Sequence, residues 1–362
     1  SEPAMASAGS QTKMSDFVTI SKLGTGAFSE VFKVLRKSDR KTYALKKVKM
    51  MKLSAKEKEN ALNEVRILAS IDHPNIAGYK EAFFEESTHS LCIVMEYCDN
   101  GDLQTKINNA KKSSRFTKED DVWSIFYQMV LGLQALHERK IIHRDIKCAN
   151  VFLTKDGMVK LGDLNVSKVA KAGILKTQTG TPYYASPEVW QDKPYDNKSD
   201  IWSLGAVLYE LVALNPPFTA KDMKGLYNRV MKGIYPKIPS HYSSDLSAML
   251  SQLLQVDPGK RPTTDQILHM PVFIAKHNEG KLKDKDIMAD AIDMLGTIKM
   301  PANMKFIHDK LPSSNYDADK ERKKREDDRK KEEIREVDLR RDLPKIAEED
   351  EDYHNLESQQ RQ

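Results

Sequence analysis

Cysteine is scarce: Cys92, Cys98 and Cys148 are the three in 362 residues. Three thiols cannot all pair, and their spacing is not that of zinc ligands, so neither a disulfide framework nor a zinc module is expected. Such sparing use fits a reducing, cytosolic compartment. No run approaches the ~18 or more apolar residues of a membrane span. The opening SEPAMASAGSQTKMS has no apolar signal-peptide core, so no membrane partner is expected. Excess charge of one sign is missing too. The 58 Lys and Arg against 53 Asp and Glu leave +5, which makes no electrostatic case for nucleic acid. No internal repeat is visible. What is present is 40% hydrophobic residues in a broad mix, enough for a sizeable core. The length suits a two-lobed domain plus an extension.

Residues 1–15 read as a disordered N-terminal segment or an extraneous remnant. From Asp16 the text changes. FVTISKLG, EVFKVLRK and TYALKKVKM are rich in β-branched and aromatic residues and are broken by Gly24, Gly26 and KSDRK, which predicts three antiparallel strands. Ser54 followed by Glu57 is a capping-box signature and predicts a helix to about Ile71. LCIVMEY reads as a further buried strand. From about Thr117, Val122, Phe126, Met129, Val130, Leu133 and Leu136 recur at helical intervals. SDIWSLGAVLYELVAL is apolar nearly all round, as in a helix buried at the centre of a lobe. Strands first and helices after imply an α+β domain over residues 16–274, with two lobes and a cleft between them. Residues 275–316 keep enough apolar residues to dock on something. From Asp317 to Asp342, 22 of 26 residues are charged, eleven of each sign. Residues 317–362 are therefore expected as a solvated helical or disordered tail.

The chemistry is carried by a few motifs. LGTGAFSEVF places Gly24 and Gly26 in a loop, with Ser29 where G-x-G-x-x-G would have its third glycine. Glycines let a backbone approach phosphate oxygens closely. A dinucleotide fold needs the loop to open a helix. This one opens another strand, so a flap over nucleotide phosphates is the reading, beside the plain one of a turn between strands. YALKKV puts Lys46 on the same strand face as Ala44, and an inward cation needs an anion. Glu64 supplies one, on a helical stripe with Ala61, Val65 and Leu68, so a Lys46–Glu64 pair is expected to aim the lysine at phosphates. IIHRDIKCAN fits H-R-D-x-x-x-x-N at every fixed position. Asp145 would accept the proton of an attacking hydroxyl, Lys147 would neutralise the migrating phosphoryl group and favours Ser/Thr over Tyr, and Asn150 would offer a carbonyl oxygen to a metal. His143 reads as packing for this loop. Asp163, eighteen residues on from Asp145 and after the hairpin LTKDGMVKL, provides the hard oxygen ligands that Mg²⁺ prefers. Glu188 is expected to pair with Arg261, and Asp200 to accept backbone N–H groups of the catalytic loop.

From about residue 17 to 274 the chain resembles the eukaryotic protein kinases, and in particular the NIMA-related (Nek) serine/threonine kinases. The wording that carries this is HPNI, VMEYCDNGDL, HRDIKCANVFL, GDLNVSK, TGTPYYASPEVW, KSDIWSLG and LLQVDPGKRPT. MLGTIKMPANMKFIHDKLPSSNY, ending at Tyr316, resembles a segment that follows the domain in some members. The resemblance implies a two-lobed kinase fold: a small antiparallel-sheet lobe with one main helix, a larger helical lobe, and a charged helical extension. It implies ATP and Mg²⁺ as cofactors, with Mn²⁺ as a substitute, and protein Ser/Thr hydroxyls as substrates. Glu96 and Cys98 would present backbone groups to the adenine, with Met95 as gatekeeper, and Leu23, Val31, Ala44 and Leu153 would line the slot. Thr177 would be the activating phosphorylation position, with Thr179 as runner-up, and its phosphate would pair with Arg144. Thr181 would help hold Asp145 and Lys147. Cell-cycle, centrosome or cilium-linked work in the cytoplasm is implied as well, with a cytoskeletal or scaffold partner on residues 275–362.

One residue departs from the pattern. In KLGDLNVSK, Asn165 stands where glycine is usual. Asparagine tolerates positive φ better than most non-glycine residues and carries no charge to repel Mg²⁺. An active kinase is therefore expected. The alternative is a pseudokinase, a nucleotide-binding scaffold working through its charged tail.

Overall fold

The computed structural model describes residues 12–163, 182–280, 282, 307 and 310–316. The expectations placed on Asn165, Thr177, Thr179, Thr181 and the charged tail lie outside the described residues. The three runs after Asp16 form strands β1 (Phe17–Thr25), β2 (Ser29–Arg36) and β3 (Thr42–Lys49), antiparallel in sequence order. Two more, β4 (Tyr79–Glu85) and β5 (Ser90–Glu96), complete a five-stranded sheet of order β1-β2-β3-β5-β4. β5 was expected; β4 was not. Tyr79, Lys80, Ala82, Phe83 and Phe84 are all buried, so both faces of β4 are covered and no period-two alternation marks it.

Helix α1 (Ala55–Ala69) starts where its capping box predicts. The Ser54 hydroxyl accepts from the Glu57 N–H, and the Glu57 carboxylate accepts from the Ser54 N–H at 2.8 Å. Leu62, Val65 and Leu68 face the core. After the connector 97–101, α2 (Leu103–Ser113) and α3 (Glu119–Glu138) open the helical lobe. Three acids in the first turn of α3 suit the positive end of its dipole. The short hairpin of β6 (Val151–Leu153) and β7 (Val159–Leu161) follows. Next come α4 (Pro187–Trp190) and α5 (Asn197–Ala213), and every residue of α5 from Ser199 to Val212 is buried. The lobe continues through α6 (Met223–Lys232), α7 (Ser244–Leu253), α8 (Thr264–Leu268) and α9 (Pro271–Asn278). No helix among the described residues is long and apolar enough to cross a membrane.

The stretch between α1 and β4 belongs to both lobes. The Ala77 N–H donates to the Leu161 carbonyl at 2.8 Å, and the Leu161 N–H donates to the Asn75 carbonyl at 2.9 Å. Asn75 also donates through its side chain to Gln128 on α3 and to the Val159 carbonyl. One core runs from Met50 in the sheet lobe through α3 and α5 to Phe273, and takes in Leu282 and Ile307. Burying a side chain such as Ile307 is worth about 1.5–3 kcal/mol.

Candidate active site

The catalytic-loop candidates are held by α5. Asp200, at its first turn, accepts the backbone N–H groups of His143 at 2.9 Å and Arg144 at 3.0 Å, and also the Tyr195 hydroxyl at 2.8 Å. Its other neighbour is the ring of His137 at 2.9 Å. Burial pushes the Asp200 carboxyl up; His137 and the loop N–H groups more than reverse this and hold it below the usual range. The clamp matters because Arg144 sits at φ 66°, a conformation costing roughly 1–3 kcal/mol in a residue with a Cβ. His143 is fully buried, and burial lowers its pKa, so it packs the loop as a neutral ring.

Held in this way, the loop presents three side chains together. The Lys147 ammonium lies 2.7 Å from Asp145 Oδ2, and the Asn150 amide donates to the same oxygen at 3.0 Å and to the Asp145 carbonyl at 2.8 Å. With its nitrogen committed twice, Asn150 has its amide oxygen left for a cation. Asp163, two residues beyond β7, is the second oxygen donor, and it too is at positive φ, 53°. No group of three or more His, Cys, Asp or Glu with metal-holding geometry occurs among the described residues. A hard ion that keeps waters and takes its other ligands from phosphates needs no such group, and the Asn150 and Asp163 oxygens fit Mg²⁺ in that mode.

Lys46 joins the lobes. Its ammonium lies 3.3 Å from Glu64 on α1, as expected, and 2.7 Å from Asp163, a contact that the sequence reading did not foresee. Burial lowers the Lys46 pKa, but the two carboxylates outweigh it and the group ends above its ordinary value. Conversely, burial pushes Asp163 up, while the charge and hydrogen bond of Lys46, and then the charge of Lys147, bring it below the usual range. Both groups are therefore ionised at neutral pH.

Sheet register collects the adenine-slot candidates. Val31 lies opposite Lys46, and Ala44 opposite Met95, so these four share one face. Leu153 is buried in β6 beneath the connector, where its carbonyl accepts from Asn100 and its N–H donates to Gly101. Leu23, at 48% exposed, and Gly24 stand at the open end of β1. The Gly26 N–H donates to the Ser29 carbonyl at 2.7 Å, which closes the loop. Cys98 is buried beside the cleft, and burial pushes its thiol up to about 12, too high for a nucleophile. The backbone N–H of Glu96 is already committed to the Gly78 carbonyl at 2.8 Å. Its carboxylate pairs with Lys160 at 2.9 Å and accepts from the Gly78 N–H at 3.2 Å. Lys160 is 7% exposed and carried no sequence signal that set it apart from a surface lysine.

Structural pairs flank the site. Arg261 grips Glu188 through two bonds of 2.7 and 2.8 Å, with Ser199 as a third donor, as the sequence reading expected of the Glu188–Arg261 pair. Not foreseen was the buried Glu210 of α5, which accepts from Tyr184 at 2.6 Å and Gln104 at 3.2 Å and ties the segment before α4 to α2. Among the described residues, one terminal nitrogen of Arg144 is buried without a hydrogen-bond partner.

Residues 17–273 match the model of the protein kinase domain. The chain is 45% identical over 268 residues to the mouse (Mus musculus) serine/threonine-protein kinase Nek1, covering 74% of this chain and 22% of that protein. It is 42% identical over 261 residues to the human (Homo sapiens) Nek5, covering 71% and 36%. With the G2-specific protein kinase nim-1 of Neurospora crassa it shares 38% over 280 residues, covering 70% and 33%. The match thus spans about a fifth to about a third of the length of these relatives. Over more than two thirds of its length, this chain belongs to the protein kinase domain family, in which it is similar to the NIMA-related serine/threonine kinases.

Proposed function

We propose that the chain is an ATP-dependent serine/threonine protein kinase that transfers the γ-phosphoryl group of ATP to protein hydroxyls. The observation that carries this is the convergence of Lys46, tied to both Glu64 and Asp163, on one side of the cleft with Asp145, Lys147 and Asn150 on the other. Lys46 holds the α- and β-phosphates, positioned by Glu64. Asp145 orients the incoming hydroxyl and takes its proton as the oxygen–phosphorus bond forms and ADP leaves. Lys147 offsets the charge on the moving phosphoryl group. Mg²⁺, held by Asn150 and Asp163, would supply charge neutralisation on the phosphates, and positioning provides the rest of the rate.

Gly24 and Gly26 cover the phosphates. Leu23, Val31, Ala44, Met95 and Leu153 enclose the adenine, with backbone groups of Glu96 and Cys98 at its edge. The buried Arg144 nitrogen suits a phosphate on Thr177 of the activation segment, with Thr179 as the next candidate, because an unpaired buried donor costs free energy until an acceptor arrives. Thr181 steadies Asp145 and Lys147. The name of the G2-specific relative extends the proposal to cell-cycle work. The resemblance to the NIMA-related kinases extends it to a scaffold or cytoskeletal partner for residues 275–362, in the cytoplasm or at a centrosome or cilium.

The test is transfer of labelled phosphate from Mg-ATP to a generic protein substrate. Wild type should transfer, Asp163→Ala should not, and Asp145→Asn should fall about 10²–10⁴-fold. A wild type that is phosphorylated on its activation segment and still silent would sink the proposal and leave a scaffold.

A further inference from the structure

We propose that Ile307, Leu311 and Pro312, which lie outside the matched kinase domain, brace the nucleotide cleft from behind and act through Tyr79 as a positioning residue. Ile307 is fully buried in the main core, and Leu311 packs against it. Next to them the Tyr79 hydroxyl, at the first residue of β4, donates to the Pro312 carbonyl at 3.2 Å. Tyr79 is 3% exposed and lies directly opposite Met95 in the β4–β5 register. Gly78 holds Glu96 twice, through its carbonyl at 2.8 Å and its N–H at 3.2 Å. Ala77 is bonded to Leu161 of β7.

Three consecutive residues therefore face three different things. Ala77 holds the helical lobe, Gly78 holds the end of β5, and Tyr79 holds the post-domain segment. A shift of that segment acts on one end of this run, and the residues at its other contacts are Met95 and Glu96, which border the adenine slot. β4 is an edge strand of the sheet, with β5 as its only strand neighbour, so its position depends on braces that the sheet does not provide. Its far end has a brace of its own, where Thr12 donates to Glu81 and the Met14 N–H donates to Glu85. The near end has Tyr79 and Pro312.

The inference rests on the nucleotide-binding reading of the cleft, but its first readout needs no nucleotide. Hydrogen exchange would be followed on the full chain for wild type, Tyr79→Phe and Ile307→Ala. Tyr79→Phe keeps the ring and deletes one donor, so it stays informative if Ile307→Ala fails to fold. The expected result is exchange about two- to tenfold faster in residues 79–82 and at the Glu96 amide, the factor that loss of one hydrogen bond corresponds to. Amides of α7 should be unchanged. The KM for ATP should rise by a similar factor at constant kcat, whereas a merely structural loss would lower apparent kcat at constant KM. Faster exchange confined to residues 307–316, or spread evenly over the chain, would overturn the brace. Weaker ATP binding by the variants of a chain that transfers no phosphate would keep the brace and sink the kinase reading. Equal ATP binding and equal KM in an active chain would do the reverse.

Discussion

At the scale of single residues, the pair Glu188–Arg261 shows how ionisation is converted into stability. Arg261 is 1% exposed and stacks its guanidinium over Trp202 at 5.0 Å. Burial raises the Glu188 pKa; the Arg261 bonds and charge, with Ser199, more than reverse it, so the carboxyl ends below its ordinary 4.5. A carboxyl with a depressed folded value adds stability that is complete above the unfolded value and is lost as pH falls through the folded one. Glu188→Gln should therefore be less stable at pH 7 by about 3–5 kcal/mol, since it leaves a buried guanidinium half-paired. Below about pH 4.5 the wild type should lose its advantage and the two stability curves should converge. Thermal unfolding from pH 7 to 3 checks this, and parallel curves would show that the bond carries no proton linkage. Asp200→Asn acts at the same scale on the loop that Asp200 clamps. An amide keeps one accepting oxygen and donates where the other stood, so one of the His143 and Arg144 N–H groups should lose its acceptor. That should lower kcat more than it changes the KM for ATP, as steady-state kinetics would read.

Gly132 of α3 decides a question at the scale of elements. A Cβ built there would lie 2.5 Å from the Asn75 carbonyl oxygen, which is backbone and cannot turn aside. Alanine in a helix interior gains about 1 kcal/mol over glycine from propensity, while overpacking costs about 1–3 kcal/mol. The clash should win because it displaces the stretch on which both lobes hang. Gly132→Ala is expected to lower Tm by several degrees in a thermal melt; a rise would mean that this stretch yields freely. Elements of this kind differ in how far the sequence discloses them. α1 was legible because its capping box and apolar stripe are local, and α5 because being apolar all round has one meaning. β4 was not, since burial on both faces erases alternation. The same holds for side chains: Lys46, Glu64, Asp145, Asn150 and Asp163 are marked by neighbours in the chain. Lys160–Glu96, Lys46–Asp163 and Tyr184–Glu210 are contacts across 64, 117 and 26 residues, which no local pattern encodes.

The two lobes are joined across the cleft by Lys46 and Asp163, one group from each lobe, 2.7 Å apart. Asp163 is 43% exposed on its side chain, so this closure is a modest force by itself, screened by salt. Bound nucleotide would supply a stronger one, because in the proposed mechanism its phosphates would meet Lys46, and Asp163 and Asn150 would hold the metal ion that offsets their charge. A ligand at 100 times its dissociation constant stabilises by about 2.7 kcal/mol, roughly 5–10 °C of Tm for a domain of this size. ADP with Mg²⁺ should raise the melting temperature by that order. Addition of a chelator should remove most of the rise, and Asp163→Ala should respond to ADP equally with and without the metal. Lys46→Ala should weaken both responses, since in the proposed mechanism the lysine would meet phosphate directly. If the wild-type shift were the same with and without Mg²⁺, Asp163 would hold the lobes together only through Lys46, and the metal would have to be sought elsewhere. A shift that depends on Mg²⁺ in the wild type and not in Asp163→Ala assigns the ion to this aspartate without any measurement of catalysis.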